Sequence, residues 1–178
     1  MCIRDRRHEL AVRPKALGSD ESKLASTLPK TVLIIGGCGG LGLLFAEHLA
    51  GKVPALNLIL TGRSELTSQK KTRIECLEEA GHAVFHLQAD VCDTGAMAQG
   101  LAKARDRFGQ IDAVLHAAAI ATEHTVFDKP EEEFQNVLNP KVQGTLALEE
   151  LLGNDPLKFV CYFSSSSAIL GDFGSCDY

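Results

Sequence analysis

A glycine cluster near the start of the chain has the composition needed to bind a phosphate group. The cluster consists of Gly36, Gly37, Cys38, Gly39, Gly40, Leu41 and Gly42. Because glycine has no Cβ, backbone N–H groups in such a turn can approach a pyrophosphate, and a helix that begins there adds the positive end of its dipole. An apolar run precedes the cluster and a helical pattern follows it, which is the strand–turn–helix context of a dinucleotide-binding site. A plain glycine turn is the alternative interpretation.

The end of the second apolar run indicates which dinucleotide could bind. In NAD-binding folds, an acidic residue at this point hydrogen-bonds the ribose 2′-hydroxyl. Here the run ends at Thr61 and Gly62, and Arg63 and Ser64 follow. A guanidinium suits a 2′-phosphate, so the sequence favours NADPH over NADH. The alternative is a solvated loop arginine, and Glu65 is the nearby carboxylate that could oppose the preference.

Short apolar runs alternate with longer amphipathic stretches from residue 31 onward. The predicted strands cover 31–35, 56–61, 83–88, 113–117 and 158–163, and the predicted helices cover 40–50, 67–80, 94–107 and 131–152. The strands are apolar on both faces, as expected when helices cover both sides of a sheet. This pattern predicts an α/β fold with a doubly wound parallel sheet, whose ligands bind at the carboxyl ends of the strands. Residues 1–30 are polar and aperiodic, and are predicted to be a linker or tail.

Several segments resemble the short-chain dehydrogenase/reductase superfamily, in particular the ketoreductase domains of modular polyketide synthases. They are glycines 36, 40 and 42, the run His116-Ala117-Ala118-Ala119, the run Pro140-Lys141-Val142-Gln143-Gly144, and Ser165 thirteen residues before Tyr178. The resemblance covers residues 31–178 and implies a Rossmann fold with strand order 3-2-1-4-5, incomplete at the C-terminus. It also implies that Asp90 and Val91 contact the adenine, and that residues 116–118 pass beneath the nicotinamide and its ribose.

The same resemblance implies catalytic roles for three side chains. Hydride transfer to a carbonyl carbon leaves negative charge on the carbonyl oxygen, which Ser165 would stabilise by a hydrogen bond and Tyr178 would protonate as general acid. Lys141 stands where these ketoreductases carry lysine in exchange for asparagine, and a nearby ammonium lowers the pKa of a phenol from its usual ~10. Without the resemblance, Ser165 would be interpreted as a loop residue, Lys141 as solvent-facing and Asp90 as a turn or capping residue.

Membership of this family would imply NADPH-dependent reduction of a β-keto thioester on an acyl carrier protein, beside flanking synthase domains. Two alternatives are a free-standing reductase of a small ketone, which a lysine four residues after Tyr178 would favour, and a non-catalytic pseudo-reductase. The presence of Lys141, Ser165 and Tyr178 argues against the second. The remaining strands and the substrate lid are expected beyond Tyr178. An unpaired sheet edge promotes aggregation, so the isolated chain is expected to be poorly soluble or inactive.

Composition argues against several other classes of protein. The 178 residues suit one domain, and a net charge of −5 gives no electrostatic case for nucleic acid or an anionic membrane. The uncharged stretch 32–46 is shorter than the ~20 residues of a membrane span and rich in glycine. The six cysteines are scattered without metal-ligand spacing. They are expected to be reduced thiols of a cytoplasmic protein that holds no metal.

Overall fold

A computed structural model describes residues 2–3, 6–7, 28–121, 124–171 and 177. One parallel sheet contains β1 (Thr31–Ile35), β2 (Asn57–Gly62), β3 (Ala83–Gln88), β4 (Ala113–His116) and β5 (Phe159–Tyr162). The helices are α1 (Gly40–Ala50), α2 (Ser68–Glu79), α3 (Thr94–Phe108), α4 (Glu131–Leu152) and the short α5 (Ser167–Leu170). Near the N-terminus, Cys2–Ile3 pairs antiparallel with Arg6–Arg7. The sheet order is β3-β2-β1-β4-β5, which confirms the predicted doubly wound sheet and its order.

Alternate residues of β1 belong to two separate hydrophobic cores. Val32 and Ile34 face the core that includes residues of α1 and α2, whereas Leu33 and Ile35 face the core that includes residues of α3 and α4. All four side chains are buried. Because helices cover both faces of the sheet, a ligand can reach the strands at their carboxyl ends, where the chain turns away.

The predicted bounds of β1, β3, α1 and α4 agree with the structure. Elsewhere the differences are small: β2 lies one residue later than predicted, and β4 ends one residue earlier. β5 and α2 are one residue shorter at each end, and α3 ends one residue later. The sequence analysis missed α5, because its first residue belongs to a serine run that looks like a loop. None of the described helices combines the length and the apolar composition that crossing a bilayer requires.

The carboxylate of Asp112 holds the start of β1 in place. Its Oδ2 accepts hydrogen bonds from the backbone N–H groups of Lys30 (2.7 Å) and Thr31 (3.0 Å), and its Oδ1 accepts one from Gln110 Nε2 (3.2 Å). Asp112 is buried, and burial alone would raise its pKa. The hydrogen bonds outweigh the burial, so the pKa of Asp112 is lower than that of an ordinary aspartate.

We expect Asp112→Asn to destabilise the protein at neutral pH by about 1–3 kcal/mol, because a neutral amide weakens the two backbone hydrogen bonds at the Oδ2 position and turns an NH2 donor towards Gln110 Nε2. A lowered pKa stabilises the fold above the ordinary aspartate pKa, and this contribution is lost as the pH falls through the lowered pKa. The difference between the variant and the wild type should therefore shrink in acid. Urea unfolding at neutral and acidic pH measures it. Asp106→Asn, at an exposed position of α3, is the control, and a difference that persists unchanged in acid would contradict the assignment.

Candidate active site

The residues that follow the five strands form two cavities at the carboxyl edge of the sheet. The first, here the glycine cavity, has a volume of about 260 Å³ and includes Gly36, Cys38, Gly39, Thr61, Gly62, Arg63, Ser64, Lys70, Asp90, Val91, Ala117 and Ala118 in its lining. The second, here the lysine–serine cavity, has a volume of about 170 Å³ and includes Val137, Lys141, Phe163, Ser165 and Asp177. Ala119 and Ile120 line both, so the two cavities adjoin.

The backbone N–H groups of the glycine turn donate hydrogen bonds to acceptors within the turn and at the ends of β1 and β2. Gly37 N–H donates to Ile34 O (3.0 Å) and Gly39 N–H to Gly36 O (2.8 Å). The end of β2 supplies two acceptors, since Cys38 N–H donates to Thr61 O (3.2 Å) and Gly36 N–H donates to Thr61 Oγ1 (3.1 Å). The N–H groups of residues 36 to 39 are therefore used in building the turn, and donors for a ligand must come from the helix that follows.

Helix α1 begins without a side-chain cap. Its N-cap residue is Gly39, and the backbone hydrogen bonds of the helix start with Leu43 N–H donating to Gly39 O (3.0 Å). The N–H groups of the first helical turn have no intrahelical acceptor by geometry. Helices α2 and α3, by contrast, are capped by the side chains of Thr67 and Asp93. The uncapped start of α1 beside the glycine cavity is suited to an anion such as a pyrophosphate.

At two glycines, neighbouring backbone atoms lie so close that no side chain would fit. A Cβ on Gly42 would lie 2.3 Å from Gly36 O and 2.6 Å from Gly37 Cα. A Cβ on Gly36, whose φ is +74°, would lie 2.8 Å from both the Cα and the N of Ala118. Glycine at position 42 thus lets α1 begin against the turn, and glycine at position 36 lets the segment after β4 pass beside it.

Two cations and a hydroxyl line the part of the glycine cavity that follows β2. Arg63 is exposed and lies 3.7 Å from Asp90, measured from Nη1 to Oδ2, while Asp90 Oδ1 accepts a hydrogen bond from Cys92 N–H. Ser64 and Lys70 line the same cavity. Glu65, which could have opposed binding of a phosphate, is exposed and is not part of this lining. The charge at this end of the cavity is therefore set by Arg63, Lys70 and Asp90.

The thiol of Cys38 lies inside the turn and is not suited to nucleophilic chemistry. Its Sγ faces Leu60 O at 3.8 Å, and the residue is buried. Burial raises the pKa of the Cys38 thiol to about 11, and the ammonium of Lys70 lowers it by a smaller amount. The thiol is therefore protonated at neutral pH and acts as a small packing group.

His116 links β4 to the helix that carries Lys141. Its Nε2 lies 2.9 Å from Pro140 O, and because a carbonyl oxygen only accepts, Nε2 carries the proton. Burial, with a smaller contribution from the Lys141 charge, lowers the pKa of His116, although the bond to Pro140 opposes this. The imidazole is thus neutral. It positions α4 beside β4 and is not part of either cavity's lining.

Lys141 and Ser165 both line the lysine–serine cavity. Lys141 lies on α4, and its Nζ donates to Phe163 O at 3.3 Å, just after β5. Partial burial lowers the pKa of Lys141. Ser165 lies in the next part of that segment, and its Oγ accepts a hydrogen bond from Ser167 N–H (3.1 Å) at the start of α5. Tyr178, the third predicted catalytic residue, lies outside the described residues.

The structure brings together many of the residues that the sequence predicted to bind a cofactor. Those that line the glycine cavity are Gly36, Cys38, Gly39, Arg63, Ser64, Asp90, Val91, Ala117 and Ala118. The others are Gly37, Gly42 and His116, which are buried, and Gly40 and Leu41, which are exposed at the start of α1.

Sequence reasoning missed Lys70, although a signal was present. Lys70 lies four residues before Ile74 and seven before Leu77, both buried, and this spacing places it on the inner face of α2. Thr61 was noted only as a strand end, and nothing in the sequence indicated its hydrogen bond to the glycine turn.

Comparison with known proteins agrees with this geometry. The family model described as KR domain matches residues 30–178. Polyketide synthase PksM of Bacillus subtilis (strain 168) is 52% identical over 159 residues, which cover 89% of this chain and 4% of the synthase. Polyketide synthase PksL of the same organism is 36% identical over 146 residues, which cover 82% of this chain and 3% of the synthase.

Two of the similar solved structures are also ketoreductases, each from an assembly line. A ketoreductase domain from the bacillaene assembly line has a TM-score of 0.80 and 39% identity, with 83% of this chain and 36% of that chain covered. An N-terminal ketoreductase from the macrolactin assembly line has a TM-score of 0.79 and 35% identity, with 83% and 30% covered. The chain thus spans about a third of these structures and a few per cent of the synthases. Since the family model matches residues 30–178, the chain belongs to the KR-domain family, the ketoreductase domains of polyketide synthases.

Proposed function

We propose that the protein that carries this sequence uses NADPH to reduce the β-carbonyl of a β-keto thioester on an acyl carrier protein, as one step of polyketide synthesis. The observation that supports this best is that the two cavities share Ala119 and Ile120. A dinucleotide in the glycine cavity would have one end beside Lys141 and Ser165. A cofactor and a carbonyl substrate would then meet at the shared wall.

The residues of the glycine cavity fit a phosphorylated dinucleotide. The uncapped start of α1 suits the pyrophosphate, and the two close-approach glycines allow α1 and the segment after β4 to pack against the turn that holds it. Arg63, Ser64 and Lys70 suit a 2′-phosphate through charge-assisted hydrogen bonds. The carboxylate expected of an NAD-binding strand end is replaced by Arg63.

The side chains of the lysine–serine cavity suit protonation of a carbonyl oxygen. NADPH, when bound, supplies a hydride to the carbonyl carbon. The Ser165 hydroxyl donates a hydrogen bond to the oxygen as its negative charge grows, and Tyr178 gives that oxygen a proton. The ammonium of Lys141 favours the phenolate that Tyr178 leaves behind, which lowers the pKa of the phenol and eases the transfer.

The test is turnover with a β-ketoacyl thioester of N-acetylcysteamine and, separately, of an acyl carrier protein. The assay should use the protein that carries this sequence, because edge strand β5 exposes Phe159, Val160 and Tyr162, a hazard for aggregation of the isolated chain. We expect NADPH consumption with formation of the β-hydroxy thioester, faster on the carrier protein. Reduction of free small ketones in preference to either thioester would contradict the proposed substrate class.

A further prediction concerns the choice of coenzyme. We expect Arg63→Ala and Lys70→Ala each to weaken NADPH binding by about 10- to 100-fold, and to leave NADH binding within about twofold, because a charge-assisted hydrogen bond contributes about 1.5–3 kcal/mol. Isothermal titration calorimetry with both coenzymes measures this. Lys71→Ala is the matched control, since Lys71 is exposed on the same helix and is not part of the cavity lining. Equal loss of affinity for NADPH and NADH would contradict a contact with the 2′-phosphate.

A further inference from the structure

A buried ion pair lies at the edge of the lysine–serine cavity. Lys129 Nζ is 2.6 Å from Asp177 Oδ2, and the two side chains are 2% and 0% exposed. The other carboxylate oxygen of Asp177, Oδ1, is buried and has no hydrogen-bond partner within the described part of the chain. Burying two charges costs free energy that their mutual attraction often does not recover. The pair therefore calls for an explanation other than stability.

The two partners belong to the two segments that carry Lys141 and Tyr178. Lys129 comes just before Pro130, the N-cap residue of α4, and α4 carries Lys141. Asp177 is joined to Tyr178 by a peptide bond and lines the cavity together with Lys141 and Ser165. The ion pair, between residues 48 positions apart, thus ties the start of one segment to the end of the other.

We propose that Lys129 and Asp177 are positioning residues, whose ion pair couples the residue that precedes Tyr178 in the sequence to the start of the helix that carries Lys141. This inference rests on the proposed function, since it takes Tyr178 as the proton donor. Lys129 is not part of the lining of the lysine–serine cavity, and neither residue is given a role in proton transfer. The pair holds Asp177 against the entrance to α4, and we expect its loss to weaken the effect of the Lys141 ammonium on the pKa of the Tyr178 phenol.

The decisive variant is Lys129→Met combined with Asp177→Leu, in the protein that carries this sequence. Removing one partner leaves an unpaired buried charge and can unfold the protein, whereas replacing both with apolar side chains often does not. We expect the double variant to fold with a Tm close to that of the wild type and to bind NADPH within about twofold. We expect its kcat to fall by about 10- to 100-fold, because a displacement of ~1 Å can cost that much.

The pH profile separates positioning from a general structural effect. Reduction needs the protonated phenol, so the rate falls at alkaline pH as Tyr178 loses its proton. Without the pair, we expect the ammonium to affect the phenol less, so the alkaline limb should move to higher pH, towards the ordinary tyrosine pKa of ~10. Lys103→Met, at an exposed position of α3, is the control and should leave kcat and the limb unchanged.

The possible outcomes are distinct. A folded double variant with lower kcat, unchanged NADPH affinity and a shifted alkaline limb supports the inference. A folded double variant with wild-type kcat and limb overturns it, and so does one that loses its fold. Absence of NADPH-dependent reduction in the folded wild type would instead reject the proposed function itself.

Discussion

Tyr178→Phe should lower kcat for reduction of a β-keto thioester by about 10³-fold while leaving NADPH affinity within a few-fold. The substitution removes one hydroxyl, and general acid catalysis by a positioned side chain contributes about 10²- to 10⁴-fold. The phenol has no part in holding the dinucleotide in this account, since the glycine cavity does that. Steady-state kinetics and calorimetric titration with NADPH, on the same preparation, measure the two effects.

The chain offers a matched control for this experiment. Tyr162 is the other tyrosine of the sequence and lies exposed on edge strand β5. We expect Tyr162→Phe, which removes the same atom from a side chain that is not part of either cavity's lining, to leave kcat within about twofold. If Tyr178→Phe weakened NADPH binding as much as turnover, or if both variants behaved alike, the role of general acid would be refuted.

Gly42→Ala should damage both the fold and coenzyme binding. The new Cβ would lie 2.3 Å from Gly36 O and 2.6 Å from Gly37 Cα. Both contacts are with backbone that is fixed by hydrogen bonds, so relief requires α1 to move away from the turn. Overpacking of this kind costs about 3 kcal/mol, or about 6–12 °C in Tm for a domain of this size. We expect NADPH affinity to fall as well, by about 100-fold, because the amides at the start of α1 would be displaced from the pyrophosphate.

Gly51→Ala is the matched control at the other end of the same helix. A Cβ there would meet His48 O at 3.5 Å and Glu47 O at 3.7 Å, which are ordinary contacts. Its backbone is helical, with φ −69°, so alanine should preserve or slightly raise stability. Differential scanning calorimetry with and without NADPH compares the two variants. A Gly42→Ala protein with wild-type Tm and wild-type affinity would contradict the close approach of α1 to the turn.

The fold could be predicted from sequence wherever the residue composition changes clearly at the ends of a buried helix or strand. The strand β1 is apolar on both faces, and α1 follows directly after the glycine turn, so their limits were visible as changes of composition. At the carboxyl ends of β4 and β5 the composition changes little where the strand ends. There the strands end one residue early because the chain leaves the sheet to form the cavity walls.

The candidate site was less accessible from sequence, because most of its contacts join distant residues. Motif spacing identified the glycine turn, Arg63, Lys141 and Ser165, since each follows a strand or lies in a recognisable pattern. Whether the Lys70 side chain faces the cavity depends on how α2 is rotated about its axis. The Thr67 cap and the packing of the apolar residues of α2 determine that rotation. The pair of Lys129 and Asp177 has no local signal, because each partner in isolation looks like an ordinary charged residue.

The most direct test of the central claim is to follow the hydrogen that is transferred. The protein that carries this sequence would be given NADPH deuterated at both C4 positions of the nicotinamide, together with a β-keto thioester, and the product would be analysed by mass spectrometry. The account predicts a β-hydroxy thioester with a single deuterium on its β-carbon. A product without deuterium, or a folded protein that consumes no coenzyme, would contradict it.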